Sequence, residues 1–295
     1  MSSKTIRVTR KALERAGLLL AGTAAFMLPL ATATDAKPGF HPVIIRGTGR
    51  PTSAELNLAY LATFAKGSLE PSVDKLNLGP MVPGDPLIPD SNPTVSPLNG
   101  EVLISVHRPL GLSPDDIPSE SIFAEPVNFG PGSVVRIKAT FIAPVGPYAT
   151  TGGFAIGLGG RTGGKDDLAN ETRVFATVNV RPNQLVRFQI PFGTADSANT
   201  VLPQSVKDAI YSTTDPQPFT IELTIDRSTS PATGTAKLTV IDQVFTLNFT
   251  LEDFLADGGP TITALGPGIA VNANGPGQTA SVHVREFRIY TDTGE

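Results

Sequence analysis

The chain contains no cysteine and no tryptophan among its 295 residues. Without cysteine there are no disulfides, no thiolate metal sites, no cysteine nucleophile and no lipobox-type acyl anchor. Charged residues make up only 17% of the chain and the net charge is -4, with no basic run and no aromatic-basic stripe, which argues against a nucleic-acid partner. Aromatic platforms are scarce: four Tyr stand beside 15 Phe, most of them at apolar strand positions. No Walker loop and no serine nucleophile elbow occurs; the run Gly157 to Gly164 is glycine-rich but lacks the strand-to-helix setting of a phosphate loop. His41, His107 and His283 are far apart, and none sits at metal spacing from an acid.

What the chain does have is glycine (29), proline (27) and many short alternating runs. Phe219, Ile221, Leu223 and Ile225 alternate with Thr220, Glu222, Thr224 and Asp226. After the turn-rich break 227–234, Ala236, Leu238 and Val240 alternate with Thr235, Lys237 and Thr239; Phe245, Leu247 and Phe249 follow with Thr246 and Asn248 between them. Period two means strands with one buried face, and short breaks make them an antiparallel meander. Further strands are expected over 101–107, 134–141, 153–160, 171–180, 185–190, 261–265, 268–272 and 278–290, with a bulge near Arg285 and Glu286 where the last alternation slips. About ten strands in ~160 residues favour an all-β, antiparallel two-sheet sandwich of the jelly-roll kind.

The N-terminus reads as an address. Lys4, Arg7, Arg10, Lys11 and Arg15 precede the apolar stretch Leu18–Leu30, and small residues follow to Ala36. That is the layout of a secretory signal peptide over residues 1–36, too short and too interrupted by Pro29 to serve as a membrane span of ~20 residues. Thr9-Arg10-Lys11-Ala12-Leu13 resembles a twin-arginine signal with Lys for the second Arg, so Sec export is the preferred route to the periplasm, surface or medium. No membrane span remains after its removal. Residues 37–124 are expected as a Pro-rich extension, with a helix of about three turns over Ala54–Lys66 bounded by Ser53 and Gly67, and 125–295 as the sandwich domain.

Three places carry a family resemblance: Val134–Phe141 followed by Gly153–Leu158; Phe219–Arg227 with Gly234–Val240; and the closing Ser281–Tyr290. Over roughly residues 125–290 the chain resembles the concanavalin A-like lectin/glucanase superfamily in its laminin G-like form. The resemblance implies a lectin, an adhesion module, a glycoside hydrolase or a polysaccharide lyase, and fold alone does not choose among them. Laminarinase-type members place Glu-x-Asp-x-(x)-Glu on one strand; here Glu222, Thr224 and Asp226 share one face, so Glu222 and Asp226 are the candidate catalytic pair, without a central acid. Calcium at a sandwich rim is also implied, and the loop with Asp166, Asp167, Asn170 and Glu171 offers its oxygen ligands. Tyr148, Arg161 and Tyr211, at predicted loops and rims, are the candidate ligand contacts. The first reading is an exported binding or structural protein directed at a glycan or cell-envelope component. A polysaccharide-cleaving hydrolase or lyase is the alternative, and a self-associating surface or matrix protein the third.

Overall fold

The computed structural model describes residues 56–84, 94–113, 118–143, 154–161, 173–180, 186–190, 198–212, 214–251 and 263–292. In chain order the strands are β1 (Asn57–Ala62), β2 (Val73–Asp74), β3 (Val82–Pro83), β4 (Thr94–Leu98), β5 (Glu101–His107), β6 (Ser119–Phe123), β7 (Val127–Asn128), β8 (Val134–Ile142) and β9 (Phe154–Arg161). Next come β10 (Arg173–Val180), β11 (Arg187–Gln189), β12 (Asn199–Val201), the helix α1 (Gln204–Ile210), β13 (Phe219–Asp226), β14 (Thr233–Val240), β15 (Gln243–Thr250), β16 (Ala264–Ala273) and β17 (Thr279–Thr291). They form two antiparallel sheets. The meander sheet runs β15-β14-β13-β8-β17-β1-β2, with β5 also on β17 and β4 on β5; the second, the glycine sheet, runs β12-β11-β10-β9-β16-β6-β3, with β7 also on β16.

Alternation explains why each strand lies where it does. In β13, Ile221 sits between Ala139 and Leu238, and Leu223 between Ile137 and Ala236; all six are buried. Thr220, Glu222 and Thr224 face the other way, beside Thr140 and Thr239, Lys138 and Lys237, Arg136 and Thr235. A one-residue slip would put the apolar set in water and the charged set in the core, so the register is strongly held. Phe141 and Phe219 stack at 5.4 Å between centroids, and Phe64, Phe129, Phe188 and Phe287 are fully buried, as the placement of Phe in the sequence suggested. The core also takes Val206 and Ile210 from α1.

The bulge in the last strand is present: the β17–β8 register shifts between Val284 and Glu286. The thirteen-residue β17 pairs β5 through Thr279–Val284 and β1 through Phe287–Thr291, so the bulge falls between its two partners.

Three expectations need correcting. Asn57–Ala62 form the strand β1 in place of the helix expected over 54–66, because β17 offers them an antiparallel partner. Strands from Asn57 onward enter both sheets, so the sandwich does not begin at 125. The two short strands read over 261–272 are one, β16, held by β9 on one side and β6 and β7 on the other. Among the described residues no helix is long and apolar enough to cross a membrane.

Candidate functional site

The outer face of the glycine sheet is built from residues that the strand period sends away from the core. In β9, Ile156 and Leu158 go inward and Ala155, Gly157 and Gly159 outward; in β10, Val174, Ala176 and Val178 go inward and Phe175, Thr177 and Asn179 outward. The register assembles rows. One reads Phe175–Gly159–Gly268–Phe123–Val82; the next Gln189–Thr177–Gly157–Ala270–Ser121; the third Arg187–Asn179–Ala155–Asn272–Ser119. The floor therefore consists of glycine and alanine, walled by two phenylalanines at one end and by amides and hydroxyls at the other.

Those glycines are space-filling requirements. A Cβ on Gly268 would lie 2.2 Å from the Phe123 ring and 2.6 Å from the Ile122 carbonyl oxygen, and one on Gly159 would lie 1.9 Å from the Val174 carbonyl oxygen. At Gly157 the nearest atoms, on Phe175 and Thr177, are 3.2 Å away, so its floor position is tight but adjustable. Phe123, Ala155, Phe175, Thr177 and Asn179 are buried, while Ser119, Ser121, Gln189, Ala270 and Asn272 are half-buried and Arg187 is exposed.

One polar atom on this face stands out. Asn179 is 8% exposed, and its side-chain carbonyl oxygen Oδ1 has no hydrogen-bond partner among the described residues. Such a group costs about 1–3 kcal/mol when left unsatisfied. Its neighbour Thr177 is satisfied, donating from Oγ1 to the Gln189 carbonyl oxygen at 3.3 Å. The described outer residues of these rows carry hydroxyl, amide and guanidinium groups and no carboxylate. That set can hold a hydroxyl-rich ligand by hydrogen bonds, and it contains no acid–base pair.

The candidate acids lie on the other sheet. Glu222 is half-buried on the outer face of the meander sheet, with Arg136 Nε and Lys237 Nζ each 3.9 Å from its Oε1. Asp226 closes β13, where its Oδ1 accepts the Ser228 backbone N–H at 2.7 Å, a local turn bond. Four residues along a strand span about 13 Å at ~3.3 Å per residue, beyond the roughly 5–9.5 Å between glycosidase carboxylates. The same face pairs His283 Nδ1 with Glu101 Oε1 at 2.9 Å, and Arg288 with Glu286 at 2.7 Å. Arg288 also donates to the Tyr290 hydroxyl at 3.3 Å, and these bonds raise its affinity for the proton further.

Tyr211 ends α1 half-buried, its ring edge-on to Phe154 at 5.1 Å between centroids, engaged with the core. Arg161 ends β9, with its backbone opposite Arg173 and Gly266. Tyr148, Asp166, Asp167, Asn170 and Glu171 lie outside the described residues. Among the described residues no group of three or more His, Asp or Glu is placed to hold a metal ion. Glu120 was missed by the sequence reading: its carboxyl shares the inner face with Ile122, is 4% exposed, and has its affinity for the proton raised by burial, against the Ser121 N–H bond at 2.8 Å. Asn179, Thr177, Gln189 and Asn272 were missed too. The signal that points to them is the run of glycines at every second position of 157–159 and 266–268, opposite in parity to the core residues.

No protein-family model and no curated protein matches the chain. Among solved structures it is similar to an endo-1,3-beta-glucanase from Streptomyces sioyaensis, with 15% identity, 83% of this chain and 99% of that one covered, and a TM-score of 0.49. It is also similar to a lectin from Bauhinia forficata in complex with GalNAc (13% identity, 72% and 92% covered, TM-score 0.46). A third is a mutant form of the Emp46p carbohydrate recognition domain (14% identity, 82% and 100% covered, TM-score 0.47). The two-sheet antiparallel sandwich of this chain is the fold that the concanavalin A-like resemblance implies.

Proposed function

We propose that this is an exported glycan-binding protein whose ligand lies on the outer face of the glycine sheet. The observation that carries the reading is the buried Asn179 Oδ1 on that face, which has no partner among the described residues. A sugar hydroxyl is a donor of the right kind for it. The half-buried amides and hydroxyls of Gln189, Asn272, Ser121 and Ser119 supply further partners around it, and the glycine floor lets a ring approach the backbone. Hydroxyl, amide and guanidinium donors, with no carboxylate among the described outer residues of these rows, support binding over hydrolysis on this face.

The test is a polysaccharide panel against the full chain, read by affinity electrophoresis and by release of reducing or unsaturated ends. Retention by at least one glycan without product release is expected. Asn179→Leu should lower that affinity at least tenfold, and Glu222→Gln should leave it unchanged. Release of ends, lost in Glu222→Gln, would replace this reading by the polysaccharide-cleaving alternative on the meander sheet.

A further inference from the structure

Arg187 differs from the other arginines whose side chains are described. Arg108 donates to the carbonyl oxygens of Asn274 and Ser113, and Arg227 to that of Phe129. On the outer face of the meander sheet Arg136 lies 3.9 Å from Glu222, Arg285 3.8 Å from Glu101 and Arg288 2.7 Å from Glu286. Exposure does not explain the contrast, because the side chain of Arg285 is 54% exposed and that of Lys237, beside Glu222, 48%. Arg187 is exposed too, yet neither a carboxylate nor a carbonyl engages its guanidinium among the described residues. The chain as a whole has 27 acids against 23 Lys and Arg, but the described outer residues of the rows around Arg187 include no acid.

The register sets Arg187 directly opposite Asn179, and the row runs on through Ala155 to Asn272. Opposed residues hold their Cβ atoms about 4.5–5.5 Å apart, so one ring can reach both side chains. The two make complementary demands. The buried Asn179 Oδ1, which has no partner among the described residues, needs a donor, and a hydroxyl is one. The Arg187 guanidinium has donors only, in a planar fork that a carboxylate matches with two parallel bonds. The geometry points to a uronate-bearing glycan as the ligand of this face, with a ring carboxylate on Arg187 and a ring hydroxyl on Asn179 Oδ1. This rests on the glycan reading above and names the class of sugar it takes. On the other side of Arg187 the row reaches Val201 of β12, 44% exposed, an apolar contact for the C–H face of the same sugar. The outer face of the meander sheet does not suit such a polymer, since Glu101, Glu222 and Glu286 already hold its cations and would repel further carboxylates.

Affinity electrophoresis of the full chain tests this in gels containing polygalacturonate, alginate or hyaluronate, the carboxyl-reduced form of each, or dextran sulfate. At least one polyuronate should retain the chain ten times more tightly than its own carboxyl-reduced form and than dextran sulfate. Arg187→Gln, at an exposed position where the fold is expected to persist by circular dichroism, should remove that tenfold preference and leave the weaker retention by the reduced polymer unchanged. Asn179→Leu should weaken retention by both forms. Equal retention by a polyuronate and its reduced form, weakened by Asn179→Leu but not by Arg187→Gln, would overturn the uronate inference and leave the glycan reading standing. Retention by dextran sulfate as tight as by any polyuronate would overturn it as well, because the face would then respond to charge alone. No retention by any of these polymers or by neutral polysaccharides would overturn both.

Discussion

Asn179→Leu separates stability from binding at one position. The Asn179 carbonyl oxygen is buried without a partner among the described residues, at 8% residue exposure. A buried acceptor in that state costs about 1–3 kcal/mol, and Leu has a similar shape and nothing to satisfy. The variant should therefore be more stable by about 2 kcal/mol, which for a domain of this size raises Tm by roughly 4–8 °C. Differential scanning calorimetry of the ligand-free chain measures this directly. Asn179→Asp serves as the opposite control: it buries a carboxylate on the same floor and should lower Tm. A Tm for Asn179→Leu equal to or below that of the unaltered chain would refute the reasoning, because the oxygen would then be satisfied in the free protein and would hold nothing in reserve for a ligand.

Gly159→Ala should destabilise by about 3 kcal/mol or more, because its Cβ runs into the Val174 backbone, while Gly157→Ala should cost about 1 kcal/mol or less, since its nearest neighbours are side-chain atoms at 3.2 Å; urea midpoints compare the two. Burial raises the Glu120 pKa in the folded state, so the folded chain holds a proton that the unfolded chain releases. Its contribution is full below the unfolded value of about 4.3 and is lost as pH rises through the higher folded one, so Glu120→Gln should flatten that decline and be the more stable form at pH 7; parallel stability–pH profiles would count against it. In the β14–β15 turn, Ile241 and Asp242 have φ of 44° and 60°, a left-handed pair that a β-branched residue resists. Ile241→Asn with Asp242→Gly should stabilise the chain by about 1 kcal/mol in thermal unfolding, and no gain would mean that the turn carries no strain.

The sheet chemistry is legible along the chain. Alternation over 219–249 set the meander, because a period of two leaves a strand only one way to bury Ile221, Leu223, Leu238 and Leu247. The slip near Arg285 located the bulge for the same reason. Where the apolar pattern fitted two periods, as in Leu56, Leu58, Ala59, Leu61 and Ala62, only the partner decided, and β17 made the segment a strand. Pro267 reads as a break in one dimension, yet β16 runs through it, because the ladders to β9 and β6 hold the strand on both sides. The polar face of the meander advertised Glu222 and Asp226, and cross-strand cations and a turn then occupied them. The glycine-floored face could not be read along the chain, since Asn179, Gly157, Ala270 and Ser121 come from four strands up to about 150 residues apart and meet only through register, which is a property of pairing between strands and not of any one of them.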